Sequence, residues 1–205
     1  MTSLSPSIAP LRAQFGTAVE RHLVSSGQTI VYVRRDHSHE VLAWLRDAPG
    51  QEFNYLTDLT AVEYRDPEPP LEVVYQLRSL VRKADLRIKV VLDKQEPLEV
   101  RSVYDLWRGA DWLEREVFDM FGVTFTGHPN LRRILMWETY AEGFPLRKDF
   151  PLRGHFSRAE QTRQALAANP EAHYSLEELS LAQAYGELPK DVQERLARGE
   201  RGFLK

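Results

Sequence analysis

The chain has 205 residues, 42% of them apolar and 28% charged, with a formal net charge of -3. That fits one domain of ordinary size plus an arm, or one large domain, and nothing in it suggests the broadly basic face that a duplex-DNA binder needs. With no cysteine, disulfides, thiol catalysis and cysteine-ligated zinc or iron–sulfur clusters are excluded within the chain.

No apolar run along the sequence reaches the roughly 18–20 residues needed to cross a bilayer. The opening stretch has no apolar segment behind a charged one, so no secretory signal is expected. Leu11, Phe15, Ala18, Val19 and Leu23 recur at helical spacing and predict a first helix stopped at Gly27. Residues 28–35 alternate and are β-branched, which predicts a strand. A second helix is expected over 36–50, capped by Asp36 or Ser38, with Val41, Leu42 and Leu45 inward and Pro49-Gly50 as the stop.

Strand and helix signals compete over 53–66, where Tyr55, Thr57, Leu59, Ala61 and Val62 fit a strand with an early turn. Residues 66–70 form a Pro-rich loop. Two strand-like runs, 71–81 and 84–93, join around Arg82-Lys83-Ala84 as a hairpin. Residues 94–100 read as another loop. A helical region is expected from Ser102 to Phe121, broken at Gly109. The order predicts an α+β fold: a two-layer domain over residues 7–135 with helices packed on one face of a mixed or antiparallel sheet. An extended docking arm over 136–156 follows, then a tail over 157–205 with short helices at 157–170 and 189–200.

The phosphate- and dinucleotide-binding glycine motifs are absent, as are a GxSxG elbow and an HExxH zinc motif. His37 and His39 could chelate a metal from one face of a strand, but at a helix start they diverge by about 200°. They are read as a polar helix start. His128 is read as a turn histidine bonded to local backbone.

The densest stretch is "EREVFDMFGVTFTGHPNLRRILM", Glu114 to Met136. Asp111 is expected as N-cap, with Glu114 completing a capping box. Leu113, Val117, Met120 and Phe121 form one apolar stripe, and Gly122 is placed as the C-terminal stop. Arg115 and Asp119, four apart, are expected to pair. Glu116 shares a face with Asp119, and Arg132 and Arg133 are expected to fold back over these acids as a basic return strand. Two arginines there would hold the acids ionised; a general acid needs the opposite shift. In the second unusual stretch, "GFPLRKDFPLRG", Phe144, Leu146, Phe150 and Leu152 flank Arg147, Lys148 and Asp149. These apolar groups need cover, either from their own domain or from a partner.

Glu114-Arg115-Glu116, Asp119, Gly122, "GHPNLRRIL" with His128, Arg132 and Arg133, and "PLRKDFPL" with Arg147, Lys148 and Asp149 together resemble the signature of the 30-kDa (C-type) subunit of respiratory complex I, the bacterial NADH-quinone oxidoreductase. The resemblance spans about residues 10–152. It implies a structural subunit of the peripheral arm, on the cytoplasmic side of the bacterial membrane and in indirect contact with it. It further implies no catalytic, cofactor-binding or metal-binding residue in this chain. FMN, iron–sulfur clusters and quinone would belong to the assembled complex. The implied partners are the 49-kDa (D-type) subunit and the cluster-bearing B-type and I-type subunits. An equivalent subunit of a related membrane-bound hydrogenase is the alternative. Two readings from the residues alone stand beside it. One is a free-standing enzyme using Glu114, Glu116 or Asp119; the other is a nucleic-acid module using Arg132, Arg133, Arg147 and Lys148, which the net charge disfavours.

Overall fold

The computed structural model describes residues 5–64, 71–168, 190, 193 and 194. Two compact units are present, Met1–Phe156 and Ser157–Lys205.

The first unit opens with helix α1 (Ile8–Phe15), which is shorter than its periodicity predicts. Gly16 ends it at φ 51, and after a 3-10 turn the chain enters strand β1 (Val19–Ser25). The apolar residues at 19 and 23 therefore lie on a strand, a correction to the single long helix. Val19, Arg21, His22, Leu23, Val24 and Ser25 all pair with strand β2 (Gln28–Val33), and tertiary pairing overrides a weak helical period. Gly27 turns this hairpin, with Ser26 at φ 49 and Gly27 at φ 78, the left-handed pair that a tight two-residue hairpin turn requires.

Helix α2 (Ser38–Asp47) buries Val41, Leu42 and Leu45 as expected. Neither Asp36 nor Ser38 caps it. A 3-10 turn over 35–37 leads in, and the Ser38 hydroxyl instead donates to the Arg35 carbonyl at 2.8 Å. The strand signal wins over 53–66: β3 (Tyr55–Glu63) is one strand with an irregularity between Leu56 and Asp58. Strands β4 (Leu71–Ser79) and β5 (Ala84–Leu92) form the expected hairpin, in unbroken register from Leu71–Leu92 to Ser79–Ala84.

The five strands lie in the order β1-β2-β5-β4-β3. All neighbours are antiparallel except β2 and β5, so the sheet is mixed. Val31, Val33, Val73, Tyr75, Leu77, Ile88 and Val90 on its inner face meet Leu11, the α2 stripe and helix α3 (Ala110–Phe121) in one core. On the other face Lys89 bonds to buried Glu72 at 2.7 Å and to the Tyr64 hydroxyl at 2.8 Å.

Two elements escape the sequence reading. Strand β6 (Glu99–Arg101), placed in a loop by composition, pairs in parallel with β7 (Thr124–Thr126), just after α3. Three-residue strands are too short to show a period of two. Residues 102–109 turn rather than forming the start of a helix, and Gly109 sits at the N-cap of α3.

Residues 136–156 contain neither helix nor strand and follow a succession of turns. The second unit contains helix α4 (Arg158–Ala168), where the first tail helix is expected. The second expected tail helix falls almost entirely outside the described residues, as does the 66–70 loop.

Candidate functional site

Helix α3 positions the site. Its apolar stripe buries Val117, Met120 and Phe121, while Leu113 packs at the core's margin. Gly122 at φ 74 terminates it, donating its N–H to the Phe118 carbonyl at 2.9 Å. This is the expected left-handed stop.

Burying that stripe also carries Glu114, Arg115 and Asp119 inside. Glu114 makes no capping box, and Asp111 lies in the first turn rather than at the cap. Glu114 reaches across to the segment after β6, accepting the Ser102 hydroxyl at 2.6 Å and the Val103 N–H at 2.7 Å. Its carboxylate is fully buried, with His128 Nε2 at 3.9 Å. Burial pushes the Glu114 carboxyl up to about 7, against the pull of its two hydrogen bonds, and the nearby Asp105 and Asp111 add to the rise. The expectation that arginines hold this acid ionised is corrected, because both arginines turn elsewhere.

His128 bonds to local backbone, as its turn position predicts. Its Nδ1 accepts the Asn130 N–H at 3.0 Å, which places the ring hydrogen on Nε2. That hydrogen points at the Asp111 carbonyl, 3.2 Å away.

Asp119 is the second buried acid. Arg133 meets its Oδ1 at 2.5 Å, and its Oδ2 accepts the N–H groups of Ile134 at 3.1 Å, Leu135 at 2.8 Å and Met136 at 2.8 Å. Burial opposes the charge, but the Met136 N–H, Arg133 and the two other N–H groups hold the carboxyl below the ordinary carboxylate range. The expected Arg115–Asp119 pair does not form. Arg115 donates instead to the Arg132 carbonyl at 3.2 Å and the Arg133 carbonyl at 3.3 Å. One helix thus grips the 132–136 loop twice, by its carbonyls and by its N–H groups. That loop is a bend, not the return strand expected, because its backbone polar groups bond to side chains of α3 rather than to a neighbouring strand.

Glu116 is exposed and takes no part; Arg133 pairs with Asp119, not with Glu116. Arg132 is exposed as well. The three acids Glu114, Glu116 and Asp119 do not converge on one cavity, as an acid–base pair would need.

The arm is covered in part by its own domain. Phe144 lies against Gly122, with the Arg133 guanidinium 5.5 Å and the Arg147 guanidinium 5.2 Å from its ring centre. Arg147 Nε donates to the Phe121 carbonyl at 2.7 Å, and the Lys148 N–H donates to buried Glu63 at 2.6 Å. Beyond that, Asp149 is exposed, and Leu146, Leu152 and Phe156 show large apolar surfaces to solvent. Of the four bases read as a nucleic-acid patch, Arg133 and Arg147 turn inward, leaving Arg132 and Lys148 outside.

His37 and His39 lie on the 3-10 turn and α2 and face different acids: His37 meets Glu40 at 3.4 Å and His39 meets Asp105 at 2.9 Å. No cluster of three or more metal-ligating side chains occurs among the described residues. A cleft of about 840 Å³ lies at the carboxyl ends of β2 and β5, but the charges lining it include the pair Arg35–Glu96 at 3.0 Å, and it shares no residue with α3. Among the described residues no helix is long and apolar enough to cross a membrane.

Sequence reasoning missed Ser102, Trp112 and Leu135. Ser102 has no local signal, since its role exists only where the segment after β6 meets Glu114 of α3. Trp112 and Leu135 stand out only by their exposure.

The arrangement defines a class: an α+β scaffold whose buried charges brace a loop and an arm against one helix. The family model described as the respiratory-chain NADH dehydrogenase 30 Kd subunit matches residues 31–156, and the chain belongs to that family. It is 43% identical over 155 residues to the second C-type subunit of NADH-quinone oxidoreductase from Rhizobium etli, covering 75% of this chain and 81% of that one. It is 43% identical over 159 residues to the C/D-type subunit from Acidiphilium cryptum, covering 69% of this chain and 26% of the relative. A solved structure of a trypsin-resistant fragment of Nqo5 matches 61% of this chain and 96% of its own, at 30% identity and a TM-score of 0.50. A chain from the archaeal membrane-bound sulfane sulfur reductase shares the fold at a TM-score of 0.60 and 20% identity, over 77% of this chain and 88% of that one.

Proposed function

We propose that this chain serves as a structural subunit of a proton-translocating NADH-quinone oxidoreductase, seated in the peripheral arm on the cytoplasmic side of the membrane and contributing no catalytic residue. Its work is to dock against the D-type subunit that helps form the quinone site, and against the cluster-bearing B-type and I-type subunits. FMN, iron–sulfur clusters and quinone belong to the assembled complex and not to this chain. The observation that carries this reading is the fate of the buried charges on α3. Asp119 and Arg115 hold the backbone of the 132–136 loop, and Glu114 holds Ser102 and Val103. Each of these groups is engaged by backbone or hydroxyl groups of its own domain, which supports bracing a surface over moving protons on a substrate. The Acidiphilium relative, whose name joins the C and D types in one chain, supports the D-type subunit as the neighbour. A second reading, the equivalent subunit of a related membrane-bound hydrogenase, is consistent with the fold shared with a chain of another membrane-bound respiratory complex, the sulfane sulfur reductase.

The test is purification of the tagged chain from gently solubilised native membranes, with assays for NADH-quinone reductase and for hydrogen-dependent activity. A large flavin- and iron–sulfur-containing complex with the first activity is expected. Hydrogen-dependent activity alone would favour the second reading, and a lone colourless protein would overturn both.

A further inference from the structure

Arg115 ties together two segments that each expose an apolar side chain. It is 7% exposed, its guanidinium lies 5.2 Å from the centre of the Trp112 ring, and it donates to the carbonyls of Arg132 and Arg133. The indole and the loop ending at Leu135 thus rest on one buried cation, and Asp119 fixes the Leu135 N–H from the other side at 2.8 Å. Trp112 and Leu135 nevertheless are each 61% exposed. Single exposed apolar groups are ordinary; two presented from a braced platform have already lost much of the freedom that binding would otherwise remove.

The charges beside them are also distinctive. Glu116 follows Trp112 by four residues and shares its exposed helix face. Arg132 stands exposed on the gripped loop. Neither side chain has a partner among the described residues, whereas Arg133, Asp119 and Glu114 do.

Resting on the docking reading above, we propose that Trp112, Glu116, Arg132 and Leu135 form the patch through which this chain seats on another subunit of its complex. Trp112 and Leu135 enter an apolar pocket that carries an acidic group opposite Arg132 and a basic group opposite Glu116. Tryptophan and arginine are the residue types on which interface energy concentrates, and one charge of each sign sets orientation. The two charges cancel, so the patch has no electrostatic attraction for an anionic lipid surface; a protein surface with complementary charges fits it.

The test uses the full tagged chain in its native host, with Trp112→Asp and Leu135→Asp compared with wild type. Both positions are exposed, so the isolated variants should melt close to wild type. The expected result is an at least tenfold lower yield of co-purified subunits for each variant. A photo-crosslinking residue at position 112 should link to a different subunit. Wild-type yield from both variants would overturn the patch while leaving the docking reading standing. Crosslinking only to a second copy of this chain would likewise overturn it, assigning the surface to self-association. Failure of the wild-type chain to bring down any subunit would remove the docking reading itself, and this proposal with it.

Discussion

Replacing Glu114 with glutamine keeps the side chain's shape and removes its charge. The wild-type carboxyl is fully buried and sits at about 7 in the folded chain, against an ordinary value of 4.5. Between those values the folded protein keeps a proton that the unfolded chain has lost. Stability from this group is therefore greatest below about pH 4.5, falls as pH rises, and levels off above about pH 7. At about 1.4 kcal/mol per pH unit, the full difference is about 3 kcal/mol. The carbonyl of the substituted amide can still accept the Val103 N–H, and its NH₂ group can donate to Ser102 Oγ, so the hydrogen bonds survive in altered form. Urea unfolding of both proteins between about pH 5 and pH 8 reads the effect. Glu114→Gln should match wild type or fall slightly below it at the acid end, and gain up to about 3 kcal/mol over it at the alkaline end. Asp105, Asp111, His128 and Tyr75 are present in both proteins, so the difference isolates position 114. Stability curves that run parallel across this range would refute the reasoning.

Asp119→Ala leaves Arg133 without its buried partner and three N–H groups of the loop without an acceptor. A loss of roughly 3–5 kcal/mol is expected, seen by calorimetry as a Tm lower by about 10 °C. A loss below about 1 kcal/mol would mean that something other than Asp119 holds the loop. Gly122→Ala must place a Cβ at φ 74 and against the Phe144 ring. The left-handed backbone and the overpacking together should cost about 2–4 kcal/mol, with faster protease cleavage within 143–156 as the arm is pushed off; an unchanged cleavage rate would show that Phe144 does not need this contact.

The α+β architecture is legible in the sequence because it rests on period and punctuation. Val41, Leu42 and Leu45 recur at helical spacing and are buried. The 71–92 hairpin alternates and turns where its polar break lies, and Gly122 stops α3 in the left-handed conformation that its position predicts. The period overextends the first helix because Val19 and Leu23 continue it by coincidence, while the sheet supplies hydrogen bonds that the sequence does not display. Strands β6 and β7 are too short to carry a period, and each forms only because the other lies beside it.

The sequence by itself determined that acids and arginines crowd α3 and the loop after it, and that the crowding marks this family. Only the tertiary structure decided who meets whom. Helical spacing offered Arg115 to Asp119, and the turn after α3 offered Arg132 and Arg133 to the face shared by Glu116 and Asp119; packing gave Asp119 to Arg133, left Glu116 and Arg132 unpaired among the described residues, and turned Arg115 to carbonyls. The physical reason is that burying the apolar stripe of α3 takes Glu114, Arg115 and Asp119 out of water with it. Each buried charge must then take whatever donors or acceptors the fold brings within reach, and that set depends on loops far away in sequence. Glu116 and Arg132 remain in water, and in the proposed assembly they are left for a partner.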